Sequence, residues 1–532
     1  MISPLALWQN LSMDRSHDLR QMDAEELRDL SAALLAQLTV KETELSHKDQ
    51  ELRTKQLKID QLTHEMATLK RWRFARSSER LDSPQRSLLE ESIDEDLEAI
   101  QLEVRSVQPR LSTSPRRQPR RVVLPKDLPR RNICHEPELT VCGCGCALER
   151  IGEDVSEKLD YLPGSFTVEQ HVRGKWVCRS CQSLIQAPVP AQVIDKGIPT
   201  SGLLAQVLIA KFADHLPLYR QEGIFARAGL ALPRSTLAQW VGACGASLQP
   251  LVDALKAEIL SRPVLHADET PVPMLKPGLG KTHRAYLWSY GTTEYDALPA
   301  VVYDFTEGRA GHYARAFLGA WSGKLVCDDY SGYKALFGTA VVEIGCMAHA
   351  RRKLHDLYVN HRSVIAEDGL KLYGALYEIE REAREQELDA AARLQLRQER
   401  ARPIAETLRT WLILHRSKVP DGSATAKAIE YSLGRWVALT RYLEDGDLPI
   451  DNNWVENRIR PIALGRSNWL FAGSLRAGQR AAAVISLIQS AKLNGHDPYQ
   501  YLRDVLERLP TQPASRLAEL LPHHWRQAQI TH

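Results

Sequence analysis

Pro263-Val-Leu-His-Ala-Asp-Glu-Thr270 is an apolar run that ends in an acid, and Gly323-Lys-Leu-Val-Cys-Asp-Asp-Tyr-Ser-Gly-Tyr333 repeats that pattern further on. Between them, the β-branched and aromatic runs Ala285–Gly291 (AYLWSYG) and Ala300–Phe305 (AVVYDF) predict two more strands. The spacing then predicts a helix over His312–Leu318, a strand over Val341–Gly345 and a basic helix opening at Cys346-Met-Ala-His-Ala-Arg-Arg-Lys353.

Three early strands, a helix, a fourth strand and a helical continuation form the order of a ribonuclease-H-like α/β core. In that fold the first and fourth strands are neighbours, so Asp268 and Asp328 would face each other. A third acid is expected on Asp451–Gly473, DNNWVENRIRPIALGRSNWLFAG. On a helix begun at Asp451 or Asn452, Asn452, Asn453, Glu456 and Arg460 share one side. Val455 and Ile459 point to a core, and Pro461 limits the helix. From this stretch alone, a solvated helix start with an Arg–Glu pair competes equally with a site. The two upstream acids favour Glu456 as the third ligand, with Arg460 and Arg466 near DNA phosphates and Asn452 and Asn453 either orienting the helix start or hydrogen-bonding near the metals. The interval rich in Glu, Arg, Ala and Leu, including Ala375–Arg402, reads as an α-helical insertion at about 355–448.

The chemistry gives that triad its meaning. Cutting a phosphodiester requires an activated water and stabilisation of a departing oxyanion. Two Mg²⁺ ions about 3.5–4 Å apart do both, and hard cations want carboxylate oxygens on rigid supports. Strand-end acids that merely cap loops are the bland alternative.

Upstream, residues 19 to 70 read as one long helix. Leu38, Leu45, Leu52, Ile59 and Met66 recur every seven residues, with Leu62 and Leu69 on the second seam position. That is coiled-coil spacing and predicts self-association. The basic cluster Arg71–Arg80, with Arg71 and Arg73 beside Trp72 and Phe74, offers phosphate contacts. Residues 81–132 read as a linker, acidic at first. It then turns basic and Pro-rich, with Arg116, Arg117, Arg120 and Arg121 as DNA-contacting residues through counterion release. Cys178-Arg-Ser-Cys181 is a CxxC knuckle whose partner is Cys142-Gly-Cys144-Gly-Cys146. Four thiolates on two knuckles suit structural Zn²⁺, with Cys142, Cys144, Cys178 and Cys181 preferred and Cys146 the alternative third ligand. Tyr219–Leu230 followed by Pro233–Trp240 resembles a helix-turn-helix, with Ser235 or Thr236 capping the second helix and Ser235 assigned to DNA.

At 532 residues the chain exceeds one ordinary core. With 44% hydrophobic and 25% charged residues it reads as a soluble globular protein. The net charge of +3 decides nothing by itself, because basic and acidic residues are clustered locally. No apolar run is long enough to span a membrane, and the first residues lack the pattern of a signal peptide. Six of the nine cysteines fall between Cys134 and Cys181, which favours a metal site over a disulfide framework.

The chain resembles the transposases of the insertion sequence 66 family over nearly its whole length. The resemblance rests on Arg73-Phe-Ala-Arg-Ser-Ser-Glu79, Ile151–Asp160, His266-Ala-Asp-Glu-Thr270, Cys327–Tyr333, Cys346-Met-Ala-His349, Asp451–Pro461 and the tail Ile462–Gly495. It implies a DDE-type enzyme with Asp268, Asp328 and Glu456 as catalytic, Mg²⁺-binding acids, two ions being held and Mn²⁺ serving as substitute. Asp329 is the second choice to Asp328, and Glu269 points to the other strand face. Cys346 and His349 resemble a CxxH pair in structural support, and the Cys142–Cys181 segment resembles the family's zinc finger. The implied reaction frees 3′-OH groups at element ends and joins them to target DNA.

The expected architecture is thus multidomain α+β. It comprises a coiled coil and basic segment (19–80), the linker (81–132), a zinc-finger domain (133–190), a helical DNA-binding segment (191–260), the catalytic domain (261–480) and a C-terminal helical element (481–532). Expected partners are double-stranded DNA at element ends and target, further copies of the chain, and companion proteins encoded alongside, in a bacterial cytoplasmic, nucleoid-associated setting without a membrane. The alternatives are a DNA-binding regulator or inactive relic, and a ribonuclease-H-like nuclease that cuts without joining.

Overall fold

The computed structural model describes residues 23–74, 83–107, 124–162, 164–195, 197–276, 281–338 and 340–527. Two units are distinguished: residues 1–68 with 104–111, and residues 69–103 with 112–532. Arg116, Arg117, Arg120 and Arg121 lie outside the described residues.

In the first unit, a run free of Pro and Gly forms most of the helix Ala24–Phe74 (α1). Its seam leucines Leu38, Leu45 and Leu52 are 56%, 61% and 62% exposed. Lys41–Glu44 and Lys55–Glu51 pairs along its surface add only marginal stability.

Within the expected linker 81–132, residues 83–107 are instead helical. Ser83–Val107 is a helix (α2), and four of its acids are withdrawn from solvent while Glu90 stays exposed. Glu91, Asp94, Glu95 and Asp96 are buried beside Leu88, Ile93, Leu97 and Ile100. Arg480 donates from Nη2 to Glu95 Oε2 at 2.7 Å and to Asp96 Oδ1 at 2.9 Å. Lys211 pairs with Glu95 at 3.0 Å, and Glu91 accepts the Tyr219 N–H at 2.8 Å. The acidic composition that suggested a linker is matched here by buried cations, so the helix can dock.

The cysteine segment is a sheet. Arg130–His135 (β1) pairs in parallel with Ser165–Val177 (β3), which pairs antiparallel with Glu149–Leu162 (β2) and Leu184–Gln186 (β4). Phe166 and Val168 of β3 are buried, as alternation predicts.

Helices Ser201–Phe212 (α3), Leu218–Arg227 (α4) and Arg234–Ile259 (α5) follow. Neither Ser235 nor Thr236 caps α5. The N-cap is Pro233, and the Arg234 N–H is taken by Glu222 Oε1 at 3.1 Å. Gly229, at φ +88°, lies in the connection between α4 and α5. Much of α5 is core: Leu237, Val241, Cys244, Leu248, Leu251 and Leu255 are buried. At Gly242 a Cβ would lie 2.3 Å from the Glu95 carbonyl oxygen, so α2 and α5 touch backbone to backbone there.

The central sheet is built from Val264–Met274 (β5), His283–Gly291 (β6), Val301–Thr306 (β7), Gly323–Cys327 (β8) and Val341–Gly345 (β9), in the order β7-β6-β5-β8-β9. The first and fourth of these strands pair in parallel, with His266 opposite Val326. Gly311–Leu318 (α6) and Ser331–Lys334 (α7) flank β8. Leu265, Leu325 and Cys327 face one core, while Val264, Val326 and Ile344 face another. That second core is completed by Met347–His361 (α8), Val364–Glu385 (α9), Ala390–Leu396 (α10), Arg402–Arg416 (α11), Ala424–Gly434 (α12) and Trp436–Thr440 (α13). Within it the buried Arg397 grips Glu380 through two hydrogen bonds of 2.8 and 2.7 Å.

The chain then returns to the sheet as Asn453–Trp469 (α14), Leu475–Leu493 (α15) and Pro498–Arg508 (α16). The helix does not stop near Pro461, as expected from sequence, but continues to Trp469. A proline removes only its own N–H bond and bends the preceding turn. Ile459, Ile462 and Gly465 are buried on either side of it, and that packing carries the helix through. Among the described residues no helix is long and apolar enough to cross a membrane.

Candidate active site

Asp268 lies on β5, Asp328 directly after β8, and Glu456 in the first turn of α14. The parallel pairing of β5 and β8 brings the first two side by side. The third is delivered by α14, which is fastened over the sheet at three points. Asn452 Nδ2 donates to the Ala267 carbonyl at 2.9 Å, Tyr303 Oη donates to the Arg458 carbonyl at 2.7 Å, and Arg466 donates to the Pro271 carbonyl at 2.6 Å.

The electrostatics register the convergence. Burial, then the Glu269, Glu456 and Asp328 carboxylates, push Asp268 well above the ordinary carboxylate range. Burial raises Glu456 too, the nearby His349 opposing and Asp451 and Asp328 reinforcing the shift. Holding charge on Asp268 and Glu456 is thus a cost to the bare fold. Glu456 Oε1 is buried without a hydrogen-bond partner. An oxygen-rich donor set with an orphaned carboxylate oxygen fits a hard divalent cation.

The flanking acids are otherwise engaged. Glu269 accepts from Arg309 Nε and from Tyr333 Oη, both at 2.7 Å. Arg309 in turn lies over the Tyr330 ring at 3.8 Å, and the Tyr330 N–H donates to Asp328 Oδ1 at 2.9 Å. Glu269 thereby braces the turn that presents Asp328. Asp329 is paired with Arg435 at 2.9 Å and Lys334 at 3.3 Å. Asp451 accepts from Tyr377 Oη at 2.9 Å and from the Asn453 N–H at 2.9 Å, which fixes the approach to α14.

Cys346 and His349 join the same centre. Cys346 is the buried N-cap residue of α8, and its Sγ accepts the Asn452 N–H at 3.2 Å. His349 Nδ1 lies 3.6 Å from Glu456 Oε1, and ligand atoms of Cys346, His349 and Glu456 lie within 4.8 Å of one another.

Two residues that sequence reading did not assign a role complete the support. His266 is fully buried, stacks on Trp454, and shares a 2.7 Å hydrogen bond with Asn452 Oδ1. Tyr377, from the helical insertion, reaches Asp451. His266 sits in the quoted stretch two residues before Asp268, so strand alternation could have placed it on the same face. Nothing in the sequence pointed to Tyr377.

A second centre lies in the cysteine segment. Cys142 Sγ is 3.2 Å from Cys181 Sγ, Cys144 Sγ is 3.6 Å from Cys178 Sγ, and all four lie within 4.8 Å of one another. Tetrahedral zinc with bonds of about 2.3 Å separates its sulfurs by roughly 3.8 Å, so the donor set fits. The first knuckle turns at Gly145, φ +83°, whose N–H donates to the Cys142 carbonyl at 2.8 Å. Cys146 is not one of these four, although its thiol borders Cys144 and Cys178.

Of the residues assigned to DNA, Arg460 is exposed one turn beyond Glu456, Arg466 is half-buried on Pro271, and Ser235 is half-buried in the first turn of α5. Arg71 and Arg73 fall in the last turns of α1.

Comparisons with known proteins identify the family. Residues 196–480 match the family described as "Transposase IS66 family", and 486–523 match its C-terminal element. Residues 140–182 match the "zinc-finger binding domain of transposase IS66", and 61–133 match "Transposase C of IS166 homeodomain". The chain is 39% identical over 422 residues to the uncharacterized protein y4jD of Sinorhizobium fredii (strain NBRC 101917 / NGR234), covering 76% of this chain and 82% of that one. It is 38% identical over 487 residues to the uncharacterized y4qI of the same organism, covering 88% and 89%.

Proposed function

The chain belongs to the IS66 transposase family, and from that premise we propose that it is a DDE transposase acting through Asp268, Asp328 and Glu456. One observation carries the proposal. Acids from three distant parts of the chain are carried toward one place: β5 and β8, bearing Asp268 and leading into Asp328, pair in parallel, and the Asn452 bond to the Ala267 carbonyl at 2.9 Å holds the start of α14, with Glu456, against β5. The strand order β7-β6-β5-β8-β9, with the first and fourth strands parallel, supports a ribonuclease-H-like core.

In this reading the three carboxylates hold Mg²⁺ or Mn²⁺. Ions bound there would supply an activated water and charge stabilisation at the departing oxygen. The protein's own part is placement. The Asn452 bonds to His266 and Ala267 set the start of α14 against β5, and Glu269 with Arg309 and Tyr330 sets the turn at Asp328. Arg460, exposed on the same helix, approaches the DNA backbone. Water attack at an element end frees a 3′-OH, and that hydroxyl then attacks a target phosphodiester and displaces its 3′ oxygen. Cys142, Cys144, Cys178 and Cys181 hold structural Zn²⁺, which stabilises the small sheet. The exposed seam of α1 associates with the same helix of another copy, because Leu38, Leu45 and Leu52 repeat at heptad spacing on an uncovered face.

The test uses purified protein, Mg²⁺, a labelled DNA fragment carrying the inverted repeats that flank the reading frame, and a plasmid target. Joining of labelled 3′ ends to the plasmid is the expected result. Cutting without joining identifies a nuclease, and binding without cutting identifies a regulator; either overturns the proposal.

A further inference from the structure

Away from these two centres, the C-terminal segment brings a third group of metal-ligating side chains together. Glu258 lies near the end of α5, and His523 and His524 lie in the turn that follows the 3-10 segment Ala514–Leu520. One ligand atom from each lies within 4.8 Å of the others. The two imidazoles are adjacent, with ring centres 4.1 Å apart and planes inclined at 56°.

His523 is the anomaly. Both of its ring nitrogens are buried, and neither has a hydrogen-bond partner. Burying an imidazole with nothing on either nitrogen forfeits the hydrogen bonds that water would supply, and such orphans mark a missing water or ion. Among the described residues no hydrogen bond or ion pair engages the Glu258 carboxylate. The nearby cation, Arg262, is held bidentately by Asp296 at 2.8 and 2.9 Å, so its charge is already answered.

The turn itself is firmly built. The His524 and Trp525 N–H groups donate to the Leu521 carbonyl at 2.9 and 2.8 Å. Trp525 Nε1 donates to Asp504 Oδ2 at 2.7 Å, and His496 Nε2 lies 2.8 Å from the Pro522 carbonyl oxygen. The backbone that carries the two imidazoles is therefore preset.

We propose that Glu258, His523 and His524 hold a divalent transition-metal ion of the zinc class. Two imidazoles and one carboxylate, with water as fourth ligand, suit such an ion in tetrahedral geometry, whereas Mg²⁺ and Ca²⁺ prefer all-oxygen sites. The ion ties the C-terminal segment to the end of α5. From there the chain runs through Leu260–Arg262 directly into β5, so the clip steadies the entry to the strand that carries Asp268.

Zinc is titrated back into metal-stripped full-length protein against a chromophoric chelator, for wild type, His523→Ala, His524→Gln and Glu258→Gln. Wild type is expected to bind one equivalent more than His523→Ala, and His524→Gln and Glu258→Gln to weaken that equivalent by about tenfold or more. With Co²⁺ in place of zinc, the lost equivalent carries weak d–d bands and no thiolate charge-transfer band, which separates it from the four-cysteine centre. His524 is exposed, so its variant keeps the test sound should His523→Ala fail to fold. Unchanged zinc stoichiometry and affinity in folded His524→Gln and Glu258→Gln overturn the proposal.

Discussion

His266 Nδ1 lies 2.7 Å from Asn452 Oδ1, joining two residues 186 positions apart. The Asn452 amide donates through Nδ2 to the Ala267 carbonyl, so its oxygen must accept, and His266 carries its proton on Nδ1. Burial holds His266 at about 4, against the Asn452 bond, so the ring is neutral near pH 7. This small network sets the distance between the strand of Asp268 and the helix of Glu456.

Asn452→Ala leaves the His266 N–H and the Ala267 carbonyl buried and unmatched. Stability should fall by about 1–3 kcal/mol. DNA end binding should be kept while the cleavage rate falls at saturating DNA and the half-maximal Mg²⁺ concentration rises. Urea titration and metal-dependent cleavage of the folded variant check this. A loss of stability with an unchanged metal curve would assign Asn452 to packing alone.

The acid triad makes a prediction about pH. A carboxyl raised in the fold binds its proton more tightly there than in the unfolded chain. The stability this brings is full below the unfolded value of about 4 and lost as pH rises through the elevated folded range. At pH 7–8 without metal, Asp268→Asn should therefore be more stable than wild type, by of order 1 kcal/mol. The difference should shrink as pH falls through the elevated range of Asp268, since wild type then carries the proton itself. Mg²⁺ should raise the melting temperature of wild type and not of Asp268→Asn. Thermal melts across pH 5–8 in chelator and in Mg²⁺ read all three.

How much of this was legible in sequence depends on how far apart the partners lie. Each strand of the central sheet announced itself by its own apolar run, and Asp328 by ending its run; Asp268, expected at a strand end, lies in mid-strand because pairing with β6 carries β5 on to Met274. Glu456 followed from helical phase, with Val455 and Ile459 turned inward. The role of α2 was hidden, because Glu95 and Asp96 look solvated until Arg480, some 385 positions on, covers them. Pro461 misled for a related reason: a local helix-breaking rule was outweighed by tertiary packing at Ile459, Ile462 and Gly465. The His266–Asn452 bond was invisible because neither residue signals its partner.

Arg480 is 6% exposed and faces two acids of α2. Arg480→Met leaves both without their shared cation and should cost about 3–5 kcal/mol, seen as a lower urea midpoint. Adding Glu95→Gln and Asp96→Asn to that variant should recover much of the loss. No recovery would mean that α2 is held by its apolar face rather than by the ion cluster.

Removal of zinc should release the cysteine segment selectively. Chelator treatment, or Cys178→Ser, should expose residues 130–190 to limited proteolysis while residues 261–480 stay protected. Cys146→Ser should keep its zinc, since Cys146 is not one of the four clustered cysteines. Loss of zinc from Cys146→Ser would reassign the first knuckle.

The most direct measurement of the central claim is the Mg²⁺-dependent cleavage of labelled element ends by Glu456→Gln, run beside wild type with DNA binding measured on the same preparations. Glutamine keeps the size of the side chain and removes its charge. Binding is expected within about twofold of wild type, and cleavage and joining reduced by about 10²-fold or more, in the range set by losing a group that acts in the transition state. Cleavage at the wild-type rate by the folded variant would contradict it.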